Sequence, residues 1–351
     1  MIDTVEKLES LLPALKAATW IAVDTEADSL HAYPEKLCLL QISAEGVDAL
    51  VDPLAKIDLR PLLEVFRNHE LIMHGADYDL RLLRKTFDFA PTSIFDTMLA
   101  ARLLGCREFG LSNLVSGYLD VKLEKGPQKA DWARRPLTVR MEEYARNDTR
   151  FLRPLSDLLR QQLHDKGRLK WHHEACGRLI TDCAVLKAPD PDTVWRVKGC
   201  HHLSPPALAV VREIWHWREH EAIHANKPPY FILQPDNMIA LAIAAVEGRS
   251  IHSHLPRRFS PRRETGLIKA VQHGLRAPEK PQPLRAVHYR QSAEEKRRYH
   301  DLEKRRNRRA GELGIDATII ASRATLVQLA KNGALQAESD SLMRWQRELL
   351  K

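Results

Sequence analysis

Two carboxylates, Asp24 and Glu26, stand two residues apart in the stretch "WIAVDTEADSL", behind the apolar run Trp20, Ile21, Ala22 and Val23. On an extended strand that spacing turns both side chains to the same side. Holding two negative charges together and away from water is costly unless something positive lies between them. A third acid, Asp79, opens a helix directly after the apolar stretch "LIMHG", and Tyr144 and Asp148 lie four apart on the helical stretch "EEYARNDTRFL", hence on one face. Four carboxylates and one phenol can therefore meet over a single sheet. Carboxylate oxygens are the preferred ligands of hard divalent cations such as Mg²⁺ and Mn²⁺. Two such ions roughly 3.5–4 Å apart can act on one phosphodiester, one activating a water and the other stabilising the leaving oxygen. Each motif alone is commonplace. What points to chemistry is the order: a strand-borne D-x-E, a helix-start Asp and a helical Y-x-x-x-D, all within 125 residues.

The elements that would carry these residues follow from periodicity. Val5, Leu8, Leu11, Leu12 and Leu15 form one stripe and predict a helix over 4–18. "WIAVDTEA", "KLCLLQISAEG" and "VDALVDP" read as three strands close in sequence, an antiparallel meander. "LRPLLEVFRNH" predicts a helix, "ELIMHGA" a short buried strand and "DYDLRLLRKTF" the next helix. "TSIFDTMLAARLLG" has helical spacing throughout, with Thr92 or Ser93 as cap and Gly105 as stop. "GLSNLVSGYLD" and "TVRMEEYARNDTRFLRPLSDLLRQQLHDKG" predict further helices. From about 166 onward only helices are predicted. The expected class is α/β, a mixed sheet flanked by helices, followed by all-α modules.

Composition narrows the functional classes. Hydrophobic residues make up 44%, enough for packed cores, yet no apolar run reaches the roughly 18–20 residues of a membrane span. The acidic, helix-patterned N-terminus lacks the features of a signal peptide. Cys38, Cys106, Cys176, Cys183 and Cys200 form neither a disulfide framework nor a CxxC pair, so a cytoplasmic setting is expected. Neither "HHEAC" nor "GCHH" has structural-zinc spacing. The net charge of +8 is uneven: residues 1–165 hold 21 Lys and Arg against 26 Asp and Glu, and residues 166–351 hold 33 against 20. An acidic half can hold cations and a basic half a polyanion.

Taken together, "VDTEADSLHAYPEKLCLLQIS", "LIMHGADYDLRLL" and "YARNDTRFL" resemble the three motifs of the ribonuclease D family, DEDD-superfamily exonucleases whose third motif carries Tyr. "FDTMLAARLLG" and "KADWARRPLTVRMEEYA" are similar to the same family. Residues near 204–275 resemble an HRDC domain, and residues near 292–351 a second, more diverged copy. The resemblance implies a ribonuclease H-like 3′-5′ exonuclease domain at 1–165, a helical connector at 166–203, an HRDC domain at 204–280, a linker at 281–291 and the diverged helical domain at 292–351. It implies 3′→5′ hydrolysis of RNA to nucleoside 5′-monophosphates. By the family pattern Asp24, Glu26, Asp79 and Asp148 hold two divalent ions and Tyr144 orients the attacking water. A phenol with a pKa near 10 is a poor base at neutral pH but can position a water. Where many superfamily members carry Asn, four residues before Asp79, this chain has Gly75.

Substrate contacts are expected from His31 and Tyr33 after the first motif, from Lys129, Trp132 and Arg135 before the third, and from Arg257, Arg258, Arg262 and Arg263 in the basic half. The RNA expected is structured, with tRNA precursor 3′ ends as the leading candidate; neither a membrane nor an obligate protein partner is expected. Two alternatives are a DNA 3′-5′ exonuclease with the same carboxylates and a catalytically inactive RNA-binding scaffold. Sugar preference turns on contacts to the terminal 2′-OH. The presence of all five motif residues speaks against the scaffold.

Overall fold

The computed structural model describes residues 1–124, 126–256, 259–283, 291–332 and 342–351. In chain order the elements are α1 (Val5–Ala17), β1 (Ile21–Ala27), β2 (Leu37–Ala44), β3 (Val47–Val51), α2 (Arg60–Arg67), β4 (Glu70–Met73), α3 (Asp77–Phe87), β5 (Ser93–Asp96), α4 (Thr97–Leu104), α5 (Leu111–Leu119), α6 (Val139–Arg150), α7 (Leu152–Asp165) and α8 (Leu169–Ala184). Then come α9 (Pro205–Ala225), α10 (Pro229–Ile232), α11 (Pro235–Val246), α12 (Pro261–Arg276), α13 (Ala293–Leu313), α14 (Ala317–Ile320), α15 (Arg323–Asn332) and α16 (Arg344–Leu350). They form two compact units, one of residues 1–27, 37–186 and the described residues from 291, the other of 28–36 and 187–283.

In the first unit five strands form one sheet in the order β3-β2-β1-β4-β5. The expected meander is present: β1 pairs antiparallel with β2, and β2 with β3. β4 and β5 add parallel strands beyond β1. Alternation along β1 divides the two faces. Ile21 and Val23 join a core with residues of α1, α2, α3 and α8. Ala22 packs with Ile72 and Leu152 on the other face, the side to which Asp24 and Glu26 also turn. Met141 and Ala145 seat α6 on Leu39 and Leu50 of that face.

Two predicted helices are divided differently. The stretch expected to be helical from Thr92 begins as strand β5, and Asp96, not Thr92 or Ser93, caps α4. Ile94 and Phe95 are buried as strand residues paired with β4, a tertiary constraint that local spacing does not encode. The long helix expected from Thr138 breaks at Phe151, separating α6 from α7. Gly105 ends α4 as expected, with φ of 92°.

The last helices do not stand apart. Leu302, Ala310, Ile320, Leu326 and Trp345 share one hydrophobic core with Phe95, Ala100, Leu103, Leu155 and Leu159. Residues 292–351, expected as a separate module, thus lie in the same compact unit as the sheet wherever they are described. Arg168, 6% exposed, donates to the carbonyls of Leu103 at 2.6 Å and Leu313 at 2.7 Å. One guanidinium therefore satisfies orphan carbonyls at the C-terminal ends of α4 and α13, where cations are favoured. Beside it, Trp171 and Trp345 stack with ring centroids 4.8 Å apart. A Cβ at Gly105 would fall 2.0 Å from the Gly314 carbonyl oxygen, so α4 and α13 approach through glycine backbone.

The second unit is helical. Its core joins Leu208, Val211 and Ile214 of α9 with Met238 and Leu241 of α11 and Leu267 and Val271 of α12. The segment 28–36 belongs to it, tied by Tyr33 Oη donating to Glu219 at 2.5 Å and Tyr230 Oη donating to the Leu30 carbonyl at 3.3 Å. None of the helices among the described residues is long and apolar enough to cross a membrane.

Candidate active site

Three elements bring the acids together. Carboxylate oxygens of Asp24 and Glu26 on β1 and Asp148 on α6 all lie within 4.8 Å of one another. Asp79, in the first turn of α3, is 6% exposed, and its Oδ1 accepts a short hydrogen bond from Thr25 Oγ1. Tyr144 stands one turn before Asp148 on α6, close enough for the charges of Asp148, Glu26 and Asp24 to act on its phenol.

Each element is held by its own contacts. On β2, Gln41 pairs in register with Asp24 and extends Nε2 to its Oδ2 at 3.4 Å. Ser43 on the same strand and face hydrogen-bonds Thr149 at 2.8 Å, which fixes α6 one residue past Asp148. Arg146 and Arg150 pair with Asp48 of β3, both at 2.8 Å. Thr138 caps α6 by accepting from Met141 N–H.

The turn that delivers Asp79 is built around Asp96. Its carboxylate accepts from Gly75 N–H and Ala76 N–H on one side and from Met98 N–H and Leu99 N–H on the other. One buried acid thus caps α4 and clamps the passage from β4 into α3. Gly75 sits in that passage with φ of +67°, a left-handed backbone that Gly adopts freely and Asn tolerates. His74 bonds through Nδ1 to Thr97 Oγ1 at 2.9 Å, and Thr97 donates to the Met73 carbonyl at 3.2 Å.

Burial and crowding raise the proton affinity of every acid in the cluster. Asp24 lies well above the usual carboxylate range, first through burial and then through Asp79, Asp148 and Glu26. Glu26 is pushed up to about 9 by burial and by Asp148 and Asp79. Burial lifts Asp148 to about 7 against the opposing hydrogen bond from Tyr144, and lifts Asp79 to about 6 against the one from Thr25. Four oxygen donors that repel one another so strongly are a set in want of cation charge, and the hard-ligand chemistry fits a divalent ion. Burial, then Asp148, also raises the Tyr144 phenol, which therefore stays protonated at neutral pH and acts as a hydrogen-bond donor.

The expected substrate contacts fare differently. Trp132 is 1% exposed and packs in the core beside Tyr144, so no base can stack on it. Arg135 holds Asp52 through two bonds of 2.6 Å and also donates to the carbonyls of Cys38, Trp132 and Arg134. That guanidinium fastens the loop before α6. Lys129 is exposed. His31 and Tyr33 lie in the second unit, where the Tyr33 hydroxyl is taken by Glu219. Arg262 and Arg263 both pair with the buried Glu221, and the Arg262 side chain remains 61% exposed. Arg257 and Arg258 lie outside the described residues. Thr25, Gln41 and Gly126 join the site's surroundings although nothing in their local sequence marks them; the register of β1 on β2 places Gln41 beside Asp24, for example.

A mixed five-stranded sheet with three strand- and helix-borne acids converging on one face defines a 3′-5′ exonuclease domain of the ribonuclease H-like fold, and a family model described as 3′-5′ exonuclease matches residues 1–164. Two curated relatives extend the likeness past that domain. Ribonuclease D of Zymomonas mobilis is 33% identical over 267 residues, 75% of this chain and 64% of that protein. Ribonuclease D of Gluconacetobacter diazotrophicus is 31% identical over 284 residues, 77% of this chain and 70% of that protein. The chain belongs to the ribonuclease D family. It spans less than two thirds of the Zymomonas protein's length. The crystal structure of Escherichia coli RNase D shares the fold over all of this chain and 97% of its own, with a TM-score of 0.75 at 24% identity.

Proposed function

We propose that this chain is a metal-dependent 3′→5′ exoribonuclease that removes nucleoside 5′-monophosphates from the 3′ ends of structured RNA, tRNA precursors foremost. The observation that carries the reading is the convergence of Asp24, Glu26 and Asp148 oxygens within 4.8 Å beside the buried Asp79. In this reading Asp24, Glu26, Asp79 and Asp148 hold two divalent ions, Mg²⁺ or Mn²⁺. Bound there, such ions acidify a water and offset charge on the leaving 3′ oxygen. Tyr144 keeps its proton and orients the water by hydrogen bonding. Asp96 and Thr25 hold Asp79 in place, and Gln41 does the same for Asp24. The helices at 204–280 form an HRDC domain and those at 292–351 a diverged copy. The basic half of the chain grips RNA phosphates without sequence preference.

The test is a titration of a metal-stripped preparation with Mg²⁺ or Mn²⁺ on a 3′-labelled RNA and a DNA of the same sequence. Metal-dependent release of 5′-monophosphates from the RNA, one at a time, is the expected outcome. Tight RNA binding with no metal-dependent release would make the chain a scaffold, and preferential release from DNA would move it to the other enzyme class.

A further inference from the structure

A second cavity of about 620 Å³ opens beside the edge strand β5, between α7 and the start of α8. It shares no residue with the acidic cleft. Its volume falls within the roughly 300–1,000 Å³ usual for small-ligand sites. Ile94, Phe95 and Leu169 give it an apolar lining, and Arg160, Lys170 and His173 give it donors. The one carboxylate that lines it, Glu70, is already held by Arg160 at 2.6 Å. The Arg160 guanidinium lies over the Phe95 ring, 4.2 Å from its centroid. Behind Phe95 stands the ring of His172, 4.3 Å away, which donates Nε2–H to the Asp96 carbonyl at 2.9 Å. Phe95 is 1% exposed, so a ligand meets the Arg160 side chain, 39% exposed, and not the ring beneath it. A guanidinium fixed between an aromatic face and a carboxylate has lost rotamer freedom in advance, and such a plane stacks nucleobases. Lys170, exposed in the first turn of α8, makes no ion pair among the described residues. Its ammonium is available to a phosphate.

We propose that this cavity is a second, non-catalytic nucleotide site, with a base stacked on the Arg160 guanidinium and its phosphate on Lys170. The apolar lining suits a flat base, and the excess of donors over acceptors suits an anion and not a cation. One unpaired nucleotide of an RNA strand and a free nucleoside 5′-monophosphate present this same chemistry. The first source rests on the exoribonuclease reading, which makes the chain an RNA binder. The site itself does not, because nucleotide binding here needs neither the acids nor a metal.

Titration calorimetry of the full chain in chelator, with 5′-AMP and with ribose 5-phosphate as its base-free counterpart, tests the site without turnover. 5′-AMP is expected to bind about tenfold tighter than ribose 5-phosphate, the scale of one stacked base. Arg160→Ala should erase that advantage. Lys170→Glu, a change at an exposed side chain that leaves the fold alone, should weaken both ligands about tenfold. Lys166→Glu makes the same charge change at an exposed lysine outside the cavity and should leave both within about twofold. Fluorescence anisotropy of a short unpaired RNA then separates the sources. A loss of RNA affinity in Arg160→Ala and Lys170→Glu that matches the loss for 5′-AMP makes an RNA nucleotide the occupant. RNA affinity unchanged where 5′-AMP binding is lost makes it the free monophosphate. Equal affinity for 5′-AMP and ribose 5-phosphate would overturn the proposal, as would no binding of either. So would an equal loss in Lys166→Glu and Lys170→Glu, which would reduce the effect to the general field of the surface. A chain that binds 5′-AMP in this way yet releases no nucleotide from RNA would instead strike at the exoribonuclease reading.

Discussion

At the scale of single residues, the acids are held at a cost to the protein that carries them. Their proton affinities are raised by burial and by one another, with Glu26 at about 9, Asp148 at about 7 and Asp79 at about 6. In an unfolded chain each would titrate near 4. Between those limits the folded state binds more protons than the unfolded one, so stability is full below about pH 4 for these groups and is lost as pH rises through the folded values. Metal-stripped protein in chelator should therefore melt at progressively lower temperature from pH 5 to pH 9, and added Mn²⁺ should flatten that slope. A chelated sample with a melting temperature that rises across this window would contradict the electrostatics described above. Asp24→Asn removes one charge from the cluster. It should raise the melting temperature of the chelated protein at pH 8 while cutting kcat by about a hundred- to a thousandfold, the scale of losing a catalytic electrostatic contact, with RNA affinity nearly unchanged. Unchanged turnover in that variant would show that hydrolysis takes place elsewhere.

At the scale of elements, Asp96 is the residue on which the local order of β4, α3, β5 and α4 turns. Four backbone N–H groups meet its carboxylate. Asp96→Ala would leave buried donors unpaired at a cost of several kcal/mol, taking about 1–3 kcal/mol for each donor that finds no substitute. The same variant should weaken Mn²⁺ binding, because the turn that sets Asp79 is released. Isothermal titration with Mn²⁺ and chemical denaturation read these two effects separately, and intact metal affinity in a destabilised variant would confine Asp96 to a capping role. That turn was only half legible in the sequence. Asp96 suggests a helix start, but the strand it ends was hidden, because "TSIF" continues the helical spacing of "DTMLAARLLG". Pairing with β4 overrode that spacing.

At the scale of the whole molecule, the proposed function assigns the cations to the acidic half of the chain and the RNA grip to the basic half. The C-terminal half carries 33 Lys and Arg against 20 Asp and Glu, so RNA affinity should fall steeply with salt as counterions are released. Many of these cations are already engaged. Because Arg262 is paired with Glu221 at 2.5 Å, Arg262→Ala should reduce the log–log salt slope by less than the roughly 0.7–0.9 per phosphate contact that a free cation gives. A reduction of one full contact would show that the Glu221 pair opens on binding. The last helices hold to the first unit through Arg168, Trp171 and Gly105. Arg168→Met keeps the stem and removes both carbonyl bonds, and should destabilise the fold by about 2–4 kcal/mol for a buried charged donor serving two acceptors. Denaturant unfolding followed by Trp fluorescence would register this, and an unchanged midpoint would show that the apolar core alone holds α13 against α4.

The amino-acid order by itself determined the chemistry on offer: which residues carry hard donor oxygens, that Asp24 and Glu26 share a strand face, that Tyr144 and Asp148 share a helix face, and that the flanking elements form a meander followed by alternating helices and strands. These are consequences of backbone period, a property of neighbouring residues. Only the tertiary structure decided which polar groups support the acids, that Trp132 is buried and Arg135 fastens the loop before α6, and that the terminal helices belong to the unit containing the sheet. Those outcomes depend on which surfaces far apart in the chain exclude water together and which donors find acceptors there, and neither is a function of local sequence.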